Sequence, residues 1–484
     1  MLERVKPLSR ILAEGSDEKH GLKRSLGPWS LTAMGIGAII GTGIFVMTGV
    51  ASATRAGPAI TISFVVAGIV SALAALCYSE VASKIPISGS AYTYAYTSFG
   101  ELIAWIIGWD LILEYGLGAA TVSIGWSGYF VNLLQSIGLN LPQAWTHAPF
   151  GVTPGHMNVP AFIIILIMTA LLARGTRESG MVNNVIVAVK IVVVLFFLAV
   201  GVGHIDAANF HLPAGPLTGL GGYFPFGWTG VFGGAAFIFF AYIGFDAVST
   251  TAEEAKNPGR DLPFGIIASL LICTVLYIAV VAVLNGMVPF NELNVASPVA
   301  FAMIHAGLPW AAFIISLGAI AGLTTVLLVM MFGQSRIIFA MGRDKLLPPI
   351  FNAVHPTFRT PFFSTIFFGI LIAFVAAFTD INTVGSLTNM GTLFAFILTS
   401  LAIPVLRKRY PQLHGAFTVP GGPYVIPVLS AVAAFGLILF LKVGNPAIWG
   451  FFPLPWLGFI VWLIVGLVLY FSYGRSHSTV GKDA

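Results

Sequence analysis

Apolar runs long enough to cross a bilayer recur along the whole of this 484-residue chain, separated by short polar connections. A hydrocarbon layer about 30 Å thick takes roughly 20 apolar residues to cross as a helix. Runs of that kind centre on residues 28–50, 58–82, 101–133, 158–174, 181–203 and 228–250, then on 263–287, 308–340, 361–379, 385–406, 424–443 and 454–473. The expectation is therefore an all-α membrane protein with 12 transmembrane helices. Composition excludes the soluble alternative: 8% of residues are charged and 57% hydrophobic, too little charge to cover a globule of this size. Cys77 and Cys273 both lie in apolar runs, so neither a disulfide framework nor a zinc pattern is expected. The first 27 residues are polar and charged, unlike a cleavable signal peptide.

Basic residues set the direction. With the N-terminus inside, cytoplasmic segments collect 20 of the 23 Lys and Arg residues, from Arg4, Lys6 and Arg10 to Arg475 and Lys482. The outside receives Arg55 and Lys442, and Lys190 alone lies in the middle of a span. This asymmetry places both termini in the cytoplasm of a multi-pass protein of the cell inner (plasma) membrane. It also accounts for the net charge of +5 without nucleic acid.

The first span contains Gly35, Gly37, Gly41 and Gly43, four glycines in nine residues. Each costs a continuous helix about 1 kcal/mol relative to Ala. Small residues at four-residue spacing allow close helix packing, which Gly37 and Gly41 fit. The sharper reading is an unwound midpoint, tolerated at membrane depth where it lines a cavity. A helix restarting after Gly43 aims free N–H groups at an anion such as a carboxylate, while the half before it ends in carbonyls suited to an ammonium. In the sixth span, Gly244 followed by Asp246 marks a weaker break. Residue 241 lies 200 positions after residue 41, each in the first helix of a five-helix group. Interrupted helices in matching positions point to an inverted-repeat transporter with its site at the midplane. A free amino acid needs both the donors and the acceptors.

The stretch from Gly35 to Phe45, GIGAIIGTGIF, resembles the signature of the amino acid–polyamine–organocation (APC) superfamily. Further segments agree: Pro86 to Tyr94 with Phe99-Gly100, Glu254 to Pro263, and Gly322-Leu323-Thr324-Thr325 with Ser335-Arg336 and Met341 to Asp344, the last resembling the cationic amino acid transporter branch. The resemblance spans residues 28 to about 410, and the chain ends after twelve spans as bacterial relatives do. It implies a LeuT-like fold: a 5+5 inverted repeat with helices 1 and 6 broken, plus two peripheral helices. The expected domains are a cytoplasmic tail (1–27), a first repeat (28–204), a second repeat (228–406), helices 11 and 12 (424–473) and a second tail (474–484). By resemblance, the N–H groups of Gly41, Thr42 and Gly43 hold the substrate carboxylate. The carbonyls of Ile39, Phe240 and Ile243 hold the ammonium, and Phe240 covers the substrate from outside. If Thr324, Thr325 and Met330 face the pocket, the bulky thioether favours small neutral substrates; Met330 as ordinary core is the other reading.

Lys190 is separated from the nearer cytoplasmic end by about ten residues, roughly 15 Å of helix, beyond the reach of a lysine stem. In proton-coupled relatives a fifth-helix lysine occupies the place that sodium takes in others, between the first and eighth helices, and Lys190 matches that arrangement. A dry interior favours release of its proton. Asp110 and Glu114 share one face of the third span. Glu114 is the better proton carrier, while Asp110, nearer the inner half, has a solvated reading as well. Asp246 is either a coupling group or a cap on the broken sixth helix. No carboxylate forms a catalytic pair with a nucleophile, no metal motif is present, and GIGAIIGTG lacks the Lys-Ser/Thr ending of a nucleotide-binding loop.

The expected function is secondary active import of L-amino acids by proton symport and alternating access, with no enzyme activity and no cofactor. The alternative within the fold is an amino acid exchanger. A receptor without translocation would use the same site, but tails of 27 and 11 residues hold no signalling domain. A channel lacks any filter-like segment. Partners are the amino acid, the proton and membrane lipid; an accessory subunit is left open.

Overall fold

The structure, a computed structural model, describes residues 4–7, 26–85, 90–150, 153–175, 180–211, 222–413, 415–441 and 454–480. Of the sequence features above, Pro86 to Gly89, Lys442, Lys482 and most of the N-terminal tail lie outside them. Among the described residues the regular structure is helical, apart from one isolated bridge between Leu26 and Ala255. The principal helices are α1 (Pro28–Ile39), α2 (Ile60–Lys84), α3 (Ser90–Ser98), α4 (Glu101–Ser136), α5 (Val159–Arg174), α6 (Gly180–Gly201) and α7 (Gly227–Ile238). They continue as α8 (Pro258–Met287), α9 (Pro298–His305), α10 (Pro309–Arg343), α11 (Phe362–Phe378), α12 (Ile381–Arg409), α13 (Val425–Phe440) and α14 (Leu454–Leu469).

Local chemistry marks the helix starts. Pro28, Pro258, Pro298 and Pro309 sit in first turns, where the missing N–H costs nothing. The Asn158 and Asp380 side chains cap α5 and α12, accepting from Ala161 N–H at 3.2 Å and Asn382 N–H at 2.9 Å.

Among the described residues, eight helical stretches are long and apolar enough to cross a membrane, and α5, α11 and α13 are apolar but shorter. The count differs from twelve for a physical reason. The first expected span is cut at Ile40 and Gly41, and its second part, Gly43–Ala56, passes through a single tight turn into α2.

α4 is the longest of these helices, 36 residues and so about 54 Å. It packs along α10 and α12, while α2 lies along α8. The apolar faces of α13 and α14, with Val432, Phe435, Ile464 and Val468 exposed, suit contact with lipid. Trp109 and Trp462 stack at 4.4 Å and donate to each other's carbonyls at 2.8 and 3.0 Å, fixing α14 to α4.

The two terminal segments meet at one end. Arg4 donates to the Arg475 carbonyl at 3.0 Å, and Lys6 pairs with Asp344 at 3.0 Å, which also accepts from Tyr92 at 2.7 Å. Burial and the neighbouring Asp344 carboxylate push the Tyr92 phenol well above its usual range, so it remains a donor. Glu80, buried here, takes both prongs of Arg407 at 2.8 and 2.6 Å, Lys84 at 2.7 Å and the Val419 N–H at 2.7 Å. The opposite end holds a cavity of about 380 Å³, which reaches down to Val46 and Val50 and is lined also by Asn132, His147, Asn158 and Asp380.

Candidate functional site

The backbone breaks where the glycines sit. α1 ends at Ile39, Ile40 turns extended (φ −72°, ψ 101°), and the chain restarts with Ile44 and Phe45 N–H donating to the Gly41 carbonyl, both at 3.2 Å. The amides of Gly41, Thr42 and Gly43 thus precede the new helix's own bonding ladder. In the sixth span, α7 tightens into a 3-10 turn over Phe239–Tyr242, Ile243 is extended (φ −61°, ψ 136°), and Gly244 adopts φ +116°. A second 3-10 segment, Asp246–Glu254, follows.

The breaks are in contact with each other. A Cβ at Gly43 would collide with the backbone of Ala241, and one at Gly244 would lie 2.9 Å from the carbonyl of Ala38. Each break therefore has a glycine at its closest approach to the other chain segment. For Gly244 the positive φ adds a second requirement.

The substrate-binding candidates Ile39, Gly41, Thr42, Gly43, Phe240 and Ile243 gather around this crossing and are buried. The Ile39 carbonyl accepts the Tyr277 hydroxyl at 2.7 Å, and the Phe240 carbonyl accepts the Ile243 N–H at 3.2 Å. Each keeps a second lone pair. The Thr42 hydroxyl is fully buried and, among the described residues, without a hydrogen-bond partner, beside Gly125 of α4. Met330 packs against Gly118 of α4. The Thr324 hydroxyl donates to the Ile320 carbonyl and accepts from the Trp126 indole at 3.0 Å, joining α10 to α4.

Lys190 is fully buried, and its ammonium donates to the Gly37 carbonyl at 2.5 Å. Its stem lies along Gly322, where a Cβ would come within 3.1 Å of it. It thus joins α6 to α1 and α10, and among the described residues it has no ion-pair partner. Glu114 and Asp246 lie elsewhere, on the α4 and α12 side. Tyr115 donates to Asp246 at 3.3 Å, and Glu114 has the Thr392 hydroxyl beside it and Asp246 within electrostatic range. The structure therefore brings Glu114 and Asp246 together and leaves Lys190 outside their group. Asp110 does not reach water: it is fully buried against Gly391 of α12, and among the described residues both carboxyl oxygens lack hydrogen-bond partners. Its position on a 36-residue helix packed on several sides overrides the nearness to the inner end.

Sequence reasoning missed three residues of this region: Tyr277, Tyr115 and Asn389. The Asn389 amide donates to the Ala236 and Phe237 carbonyls at 3.0 and 2.6 Å, at the last turn of α7. A polar amide inside an apolar run was the one signal pointing to it.

Comparison with known proteins agrees with the resemblance seen in the motifs. The family model described as amino acid permease matches residues 26–477. The chain is 48% identical over 482 residues to the branched-chain amino acid permease BcaP of Bacillus subtilis (strain 168), covering 99% of both chains. It is 47% identical over 481 residues to the methylthioribose transporter of the same organism, again over 99% of each. Human cationic amino acid transporter 4 is 38% identical over 437 residues, 90% of this chain and 66% of that protein. A matching family model over nearly the whole length, on a chain of apolar helices broken at the signature glycines, identifies this protein as a multi-pass membrane transporter of the amino acid permease family.

Proposed function

We propose that this chain imports neutral L-amino acids by proton symport, using alternating access at the crossing of its two broken spans. The observation that carries this reading is the contact between the breaks. It gathers unladdered N–H groups at Gly41, Thr42 and Gly43 and carbonyls at Ile39, Phe240 and Ile243 in one buried, apolar place. Backbone dipoles of both signs suit a zwitterion, and buried surroundings strengthen them. The neutral preference is supported by Met330 on the neighbouring wall and by likeness to a branched-chain amino acid permease.

The architecture of this reading is twelve transmembrane helices in a LeuT-like 5+5 inverted repeat, with residues 28–204 and 228–406 as the repeats. The peripheral helices span 424–473, and the tails (1–27 and 474–484) lie in the cytoplasm of the cell inner membrane. The cavity at the end away from the termini is then the outer vestibule, and the ionic lacing of Lys6, Asp344, Glu80 and Arg407 closes the inner end. Import requires the outer halves of the first and sixth spans to tilt over the substrate, followed by release of that lacing.

Lys190 is the coupling group. Protonated, it ties the fifth span to the Gly37 carbonyl, two residues before the ammonium-binding Ile39. Loss of the proton weakens that tie and frees α1 to move. Glu114 and Asp246 hold the proton on the other side of the break. Uptake of labelled L-leucine and L-alanine into proteoliposomes tests the reading. Accumulation under an inward proton gradient, without sodium and without internal substrate, is expected; a strict sodium requirement, or uptake only into amino acid-loaded vesicles, overturns symport in favour of sodium coupling or exchange. A second reading, import of a neutral thiosugar, is favoured by the likeness to a methylthioribose transporter. Methylthioribose uptake with no amino acid uptake in the same vesicles would establish it.

A further inference from the structure

The sixth span owes its break to one glycine, and a lone glycine does not stop a membrane helix. Asn389 supplies what the glycine does not. It is fully buried on α12, and both hydrogens of its amide are spent on the Ala236 and Phe237 carbonyls, at 3.0 and 2.6 Å. These carbonyls lie where α7 gives way to the tighter Phe239–Tyr242 turn, the point at which regular i to i+4 bonding fails. Turning the amide over would set its oxygen against two carbonyl oxygens, so its orientation is fixed. Its own oxygen is left buried and without a partner among the described residues.

We infer that Asn389 is a positioning residue: from α12 it holds the end of α7 so that the Phe240 and Ile243 carbonyls face the substrate ammonium. The inference rests on the proposed amino acid site and adds a residue outside the signature motifs. Asn389 acts through backbone it does not share, so its loss changes where the acceptors sit and leaves the carboxylate-binding amides of Gly41 to Gly43 in place.

The test compares L-leucine with its des-amino analogue, 4-methylpentanoate, which keeps the carboxylate and lacks the ammonium. Competition against labelled L-leucine binding to the purified protein gives both affinities. In Asn389→Leu, which keeps the bulk and removes both donors, the L-leucine affinity falls about tenfold or more while that of the analogue is unchanged. Asn389→Gln, which keeps the amide, recovers part of the preference. Equal losses for both ligands mean a purely structural role and overturn the inference, as does an unchanged preference. If Asn389→Leu fails to fold, Asn389→Gln and Asn389→Thr, graded in donor number, carry the same comparison. Failure of the unmodified protein to bind any amino acid would count against the proposed site instead.

Discussion

The two broken spans reach the same kind of geometry by different means. The first is specified by its own sequence: Gly35, Gly37, Gly41 and Gly43 make continuation costly, and the Tyr277 and Lys190 side chains meet the Ile39 and Gly37 carbonyls of a turn the glycines already favour. The sixth is broken by its neighbours. Only Gly244 is permissive there, at φ +116°, while Asn389 holds one side and Tyr115, through Asp246, the other. A break specified by its own glycines depends less on what surrounds it. An imposed one changes when its supports move, which suits the span that must respond to the rest of the molecule.

Substitutions can sharpen or break this contrast. The largest effect belongs to the glycines at the crossing. Gly43→Ala drives a methyl into the Ala241 backbone, at a cost of about 3 kcal/mol or more, and uptake should be abolished. Gly244→Ala adds about 1–3 kcal/mol of backbone strain to its clash with Ala38. Thermal stability in detergent and proteoliposome uptake measure both; a Gly43→Ala protein with ordinary transport would mean that the breaks do not touch in the working protein. Next comes Tyr115→Phe, which removes the donor to Asp246. A loss of about 1.5–3 kcal/mol is expected, with transport slowed more than binding. Tyr277→Phe is smaller: the Ile39 carbonyl loses one partner, for about 1 kcal/mol, and the glycine-specified first break keeps its substrate affinity within about threefold. If Tyr277→Phe instead proved as damaging as Tyr115→Phe, the first break too would depend on its neighbours.

The same distinction governs what was legible in the sequence. Apolar runs and basic residues revealed an all-helical membrane protein, and the glycine run marked the first break to within a residue or two. Lys190 stood out because the run around it is apolar, and its side chain lies between the Gly37 carbonyl and Gly322. Tyr115 and Tyr277 were not legible, and Asn389 showed only as a polar amide in an apolar run, because their importance comes from contacts across about 130 to 240 residues of chain. Asp110 read as a partly wet carboxylate because its distance from the helix end is visible in sequence and the packing of α12 over it is not.

The proposed coupling role of Lys190, bound to the Gly37 carbonyl of the first span, is the point on which the transport reading turns. Lys190→Ala in proteoliposomes tests it most directly. Retained L-leucine binding and downhill exchange are expected, with accumulation under an inward proton gradient reduced to the level of no gradient. Accumulation equal to that of the unmodified protein would contradict it.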